Sequence, residues 1–231
     1  GIWKVIYSEK QLSKDDVLSS SNLMTQNADG SFTYTVKGKA KSVYYFYAVD
    51  YAGNVSGFSS NTAVNDEEPP AVTKVETQFN KETSFGNFAC DSFTITVEAE
   101  DDTAGVKSIE LYIGGTSDEE PGEKYAEQQF KQDDYWKTYE ENAKADLTVN
   151  GVVSGELRIV VTDGSGNKTV WQLTQQPPQM DSSFVQIEQT APDIGIEKKT
   201  AAVYDDGTNF WYNKQTVTFE VKLDDSESGI D

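Results

Sequence analysis

Thirty-nine acidic side chains and no histidine define the chemistry open to this chain. The acids gather in three places: Asp101-Asp102, Asp224-Asp225 and Asn65-Asp66-Glu67-Glu68. Hard cations such as calcium take about six to eight oxygen ligands, and clusters like these supply carboxylates. None of them matches a twelve-residue EF-hand loop, because no glycine stands at the sixth position. Solvated acidic loops are the more usual account of such runs. No metal ligand or cofactor is therefore assigned, and calcium is the one ion the composition would suit.

Paired carboxylates can also hydrolyse glycosides, provided that they face each other across a sugar cleft. With so many acids some pair will always look suitable, so catalysis is not expected. Missing histidine removes Ser-His-Asp and Cys-His constellations and the HExxH zinc proteases. A single cysteine, Cys90, leaves no internal disulfide and no Cys-rich zinc site. Its acidic neighbour Asp91 opposes thiolate formation, so Cys90 is expected to be a small buried apolar residue. A net charge of −20, a pI near 4.3 and one arginine, Arg158, argue against nucleic acid and anionic lipid. Aromatic side chains offer a better hint of binding, since sugar rings stack on them. The candidates are Tyr135, Trp136, Tyr139, Trp171 and Phe210-Trp211-Tyr212. Trp171 and Trp211 fall in expected strands, where burial is the expected fate, and Phe210–Tyr212 resembles core or interdomain packing. Trp136 is the one to test against glycans.

Repeats show which elements must position these residues. Val43–Ser56 and Glu156–Thr169 are both β-rich runs that end in Asp-x-x-Gly-Asn. Asp50, Gly53 and Asn54 match Asp163, Gly166 and Asn167, 113 residues further on. Asp66-Glu-Glu-Pro-Pro is matched by Glu188-Gln-Thr-Ala-Pro. Thr94–Val106 and Val217–Ile230 share an alternating strand, an Asp-Asp pair and a glycine followed by an aliphatic residue. Gly1–Tyr7 parallels Gly105–Tyr112. This phase divides the chain into 1–66 (the later strands of one unit), 67–178 (a complete unit) and 179–231 (the first strands of a third). The chain thus reads as a piece of a longer array. Gly1-Ile-Trp-Lys-Val lacks the basic-then-apolar pattern of a signal peptide.

Within the middle unit, strands are expected at Ala71–Thr77, Ser92–Glu100, Ser108–Ile113, Ala145–Asn150, Gly155–Thr162 and Lys168–Thr174. The first unit should contribute Trp3–Ser8, Ser31–Gly38, Val43–Val49 and Asn54–Ser60. Period-2 alternation is clearest at Phe93, Ile95, Val97 and Ala99. Short strands separated by Gly, Asn and Asp turns describe an all-β fold of tandem β-sandwiches. The pattern stops over 114–144. Thr116–Gly122 reads as a mobile acidic loop, and Trp136, Tyr139 and Ala143 stand at helical spacing. A short helical insert is expected there.

These motifs together resemble bacterial immunoglobulin-like domain repeats, over essentially the whole chain outside the insert. They are Asp-Asp with Gly-aliphatic, Asp-x-x-Gly-Asn, and an acidic residue ahead of a proline. Glu67-Glu-Pro-Pro70 departs from the simplest pattern. The resemblance implies a non-catalytic spacer or adhesion region, extracellular, on the surface of a bacterium or secreted from it. A host or cell-wall glycan or a protein would be its ligand, with no nucleic acid and no membrane insertion. The alternative is a carbohydrate-binding accessory region of a large secreted glycosidase. The incomplete end units also raise head-to-tail self-association, since open sheet edges recruit strands.

Overall fold

A computed structural model describes residues 1–38, 40–175, 180–213 and 216–225. The chain is all-β, built from several sheets with a single short helix among the described residues. No described helix is long and apolar enough to cross a membrane.

The first sheet has the order β1-β4-β5, all antiparallel, from β1 (Ile2–Ser8), β4 (Ala40–Asp50) and β5 (Ser59–Asn65). Between β1 and β4 lie α1 (Lys14–Ser19) and a small hairpin of β2 (Thr25–Gln26) and β3 (Phe32–Thr33). The helix starts where it does because Ser13 and Asp16 form a reciprocal capping box that satisfies two otherwise orphaned N–H groups. It buries Val17 on Ile6, Tyr47 and Val49, a small core of its own. Neither this helix nor its cap is expected from the sequence. Strand β3 is shorter than the expected Ser31–Gly38. The expected Asn54–Ser60 strand is displaced onto β5, because Asp50–Asn54 is spent on a turn.

Two further sheets face each other across the main core. One is β12-β9-β6, comprising β6 (Ala71–Gln78), β9 (Ser92–Glu100) and β12 (Asn142–Asn150). The other runs β11-β10-β13-β15-β8-β7, from β7 (Lys81–Glu82), β8 (Asn87–Ala89), β10 (Val106–Gly114), β11 (Gly122–Gln129), β13 (Val153–Asp163) and β15 (Phe184–Ile187). The eleven-residue β13 pairs with β15 along Val153–Glu156 and with β14 (Lys168–Gln172) along Arg158–Thr162. Phe93, Ile95, Val97 and Ala99 sit opposite Val149, Leu147, Ala145 and Ala143, and all eight are buried. Ile109, Leu111, Ile113, Leu157, Ile159 and Val161 meet them from the second sheet. This is the arrangement of a β-sandwich, in which alternate residues of each strand feed one shared core. Edge strand β6 follows the double proline, as its position in the sequence suggests.

The insert is not helical. Its first half is strand β11, which forms a hairpin with β10, and Thr116–Glu120 closes the turn between them. Its last residues begin β12, where Ala143 is buried by the strand period. The helical spacing of Trp136, Tyr139 and Ala143 was a coincidence of three residues. Alternation over Ala143–Val149 is longer, and pairing with β9 rewards it. Beyond β15 lie two ribbons: β16 (Asp193–Lys198) with β19 (Phe219–Asp224), and β17 (Tyr204–Asp205) with β18 (Phe210–Trp211). Gly229-Ile230, the end of the third Asp-Asp element, lies outside the described residues.

Candidate functional site

Three aspartates, each just past or at the end of a strand, meet at one pole of the sandwich. Asp66 follows β5, Asp101 follows β9 and Asp163 ends β13. All three are buried, Asp163 completely, and their carboxylate oxygens lie within 4.8 Å of one another.

Each carboxylate is held by the backbone around it. Asp101 Oδ1 accepts the N–H groups of Thr103, Ala104 and Gly105 at 3.2, 2.9 and 2.8 Å. Gly105 is needed there: its φ is +74°, and a Cβ would fall 2.3 Å from the Tyr139 carbonyl oxygen. Asp163 Oδ1 accepts from Ser165, Gly166 and Asn167 at 2.9, 2.6 and 2.8 Å, and Oδ2 accepts from Asn167 Nδ2 at 2.8 Å. Asp66 accepts the Glu68 N–H on Oδ1 and the Ala104 N–H on Oδ2, both at 3.2 Å. Ala104 thus donates to both Asp66 and Asp101.

The segment from the first sheet is fastened in the same place. Asn167 Nδ2 donates to the main-chain oxygens of Asp66 and Glu68 at 3.2 and 3.4 Å. The Thr169 hydroxyl donates to the Pro70 carbonyl. Burial raises the Asp101 carboxyl above its ordinary value. The N–H groups of Gly105 and Thr103 oppose that rise, and the charges of Asp66 and Asp163 add to it.

Asp50, the repeat partner of Asp163, builds the same turn on the first sheet. Its Oδ1 accepts from Ala52 and Asn54 at 2.9 and 2.8 Å, and its Oδ2 from Asn54 Nδ2 at 2.9 Å. Gly53 and Gly166 both carry positive φ, +81° and +97°. Asp50 is less buried, and its donors, Asn54 first, hold its carboxyl below the usual value against a small opposing effect of desolvation.

Of the three clusters singled out in the sequence, the structure brings Asp66 and Asp101 together. Asp102, Glu68 and Glu141 rim an adjoining groove of about 360 Å³. Asp224 pairs across its ribbon with Asp193 and is not part of the cluster. Asp163 was read as a turn residue only, and it is a turn residue that also completes the cluster. The available signal was that all three aspartates terminate strands which end at the same pole.

Three carboxylates form a hard donor set of the kind calcium takes, with carbonyl or water oxygens needed to reach its usual number. Asp101 Oδ2 accepts no hydrogen bond among the described residues, so one oxygen of the cluster is not committed to a protein donor. The set does not suit glycoside hydrolysis. Its carboxylates are too close and too buried to flank a sugar, and they are occupied by N–H groups.

The other candidates are scattered. Trp171 is buried as expected. Trp211 is not: it is 48% exposed and packs on Tyr204 across a two-stranded ribbon too small to cover it. Cys90 is exposed rather than buried, because β8 ends at Ala89 and alternation turns the next side chain outward. Arg158 is buried, donating to the Gly115 carbonyl at 2.9 Å. Tyr135 and Trp136 meet edge to face on the loop before β12, with Tyr135 exposed and Trp136 half-buried. No protein-family model and no curated protein matches the chain.

Proposed function

We propose that this chain is a non-catalytic spacer and adhesion region of a bacterial cell-surface or secreted protein, built from tandem Ig-like sandwich units over 1–66, 67–178 and 179–231, with β15 of the last segment completing the sheet of the middle one. One observation carries the reading: the linker out of the first sheet is bonded into the next sandwich. Asp66 takes the Ala104 N–H, and Asn167 holds the Asp66 and Glu68 carbonyls. A flexible tether would leave those groups to water. A spacer has to transmit length and orientation, and a joint of this kind does both. The Asp50 turn repeats the Asp163 turn, so the same joint can recur at each boundary of an array. The acidic surface suits an extended, soluble, self-repelling rod.

Small-angle scattering on the 231-residue chain tests the reading. The expected profile is that of one elongated particle, gaining flexibility in Asn167→Ala. A wild-type profile already typical of beads on a free tether would overturn it.

A second reading concerns the ion state of the joint. The close, buried grouping of Asp66, Asp101 and Asp163 and the open valence of Asp101 Oδ2 favour calcium as an ion that stiffens it.

A further inference from the structure

Beside the joint lies a cleft of about 280 Å³ between β5 and the loop that leads into β12. Thr62 and Val64 line one wall from alternate positions of β5. Trp136, Lys137, Thr138, Ala104, Gly164 and Ser165 complete the lining. We infer that this cleft binds a single neutral hexopyranose unit of a glycan, with the sugar's C–H face on the Trp136 indole.

Four features carry the inference. The first is composition: one half-buried aromatic plate and three hydroxyls, from Thr62, Thr138 and Ser165, are the complement of a ring with an apolar face and a polar edge. The second is unspent hydrogen bonding. The Trp136 indole N–H, on a half-buried side chain, has no hydrogen-bond partner among the described residues and is free to donate to a sugar hydroxyl. The third is rigidity. Asp133 Oδ1 accepts the N–H groups of Tyr135 and Trp136 at 2.9 and 2.7 Å, and Gln132 Nε2 donates to the Lys137 carbonyl at 2.6 Å. The loop therefore presents its tryptophan already ordered, which lowers the entropy lost on binding.

The fourth is strain. Lys137, at φ +59°, is the one non-glycine residue with positive φ among the described residues. Such backbone is retained where its surroundings impose it, often at ligand clamps. The size limits the occupant, since the cleft falls just under the roughly 300 Å³ at which ligand pockets begin. One sugar unit is accommodated. Charge limits it further: a surface of net −20 repels sulfated, sialylated and uronic glycans.

The inference deepens the adhesion half of the proposed function and rests on it for the supply of glycan. The spacer half is judged separately. The test is a printed array of neutral oligosaccharides ending in glucose, galactose, mannose or N-acetylhexosamine, followed by calorimetry on any hit. Wild type, Trp136→Ala and Thr138→Val are each checked for an unchanged melting profile and scattering curve. Expected are binding by wild type, at least tenfold weaker binding by W136A, several-fold weaker binding by T138V, and partial recovery in W136F. If folded W136A binds as well as wild type, or if wild type binds no neutral glycan, the inference is overturned. In the second case the scattering curve of the same sample decides the spacer reading on its own.

Discussion

The side-chain amide of Asn167 lies 3.2 Å from the main-chain oxygen of Asp66, although 101 residues separate them in sequence. The same amide closes the Asp163 turn at 2.8 Å. One side chain therefore both finishes a turn and locks the incoming linker. Its repeat partner Asn54 has only the first task, bonding Asp50.

That difference predicts unequal costs for equal substitutions. Asn54→Ala removes a local turn contact, whereas Asn167→Ala also leaves the Asp66 and Glu68 carbonyls without this donor. Asp66 is buried, and a buried group deprived of its partner costs about 1–3 kcal/mol, whereas exposed Glu68 can turn to water. Thermal melts should show N167A losing more than N54A, together with increased flexibility in scattering. Equal losses would mean that the linker contact contributes nothing.

Gly166 sits at φ +97° with nothing within 4 Å of where a Cβ would stand. Substitution there meets no clash, so any cost comes from the backbone alone. Gly166→Val should lower stability by about 1–3 kcal/mol, the usual penalty for a β-branched residue held in this region. Gly166→Asn should lose less, since Asn tolerates positive φ. A melting temperature unchanged in G166V would refute the strain argument.

Acid should weaken the first sheet by a traceable route. The Asn54 and Ala52 donors hold the Asp50 carboxyl below the ordinary aspartate value of 3.8. A carboxyl with a depressed folded-state value stabilises the fold at pH above its unfolded value. That contribution fades as pH falls through the folded value. Asp50→Asn removes the titrating group, so the wild-type advantage over D50N should be constant from pH 7 to 5 and shrink below about pH 4. Melts of both proteins across that range check it, and a gap that widens in acid would contradict the sign.

How much of this was legible in sequence depended on whether the signal was local. Ser92–Glu100 forms the strand its alternation describes, because Phe93, Ile95, Val97 and Ala99 face a core that only a period of two can fill. Asp163 and Gly166 were readable as a turn for the same reason. The insert misled because Trp136, Tyr139 and Ala143 imitate a helical stripe, while the bonds that decide their fate come from afar. Tyr139 donates its N–H to Ala104, and Ala143 pairs with Ala99 of β9. Cys90 misled by a single position, enough to reverse the face of a residue at a strand end. The aspartate cluster was half visible: Asp66 and Asp101 stood out as acids, and Asp163 was hidden by having a sufficient local role.

The cluster also makes the last prediction. Three carboxylates whose oxygens lie within 4.8 Å repel one another in a poorly solvated pole, and burial already raises Asp101. The surrounding N–H groups offset part of that repulsion, and a divalent cation would remove much of the rest. An ion that binds only the folded chain stabilises it by about 2.7 kcal/mol at a hundred times its dissociation constant. Calcium should therefore raise the wild-type melting temperature relative to a chelator control. Asp101→Asn keeps an acceptor for Thr103, Ala104 and Gly105 while deleting one charge, so it should fold without calcium and gain far less from it. Magnesium, which prefers six ligands in strict octahedral order, should be the weaker stabiliser. Superimposable wild-type melts in calcium and chelator would show that the backbone donors alone hold the pole together.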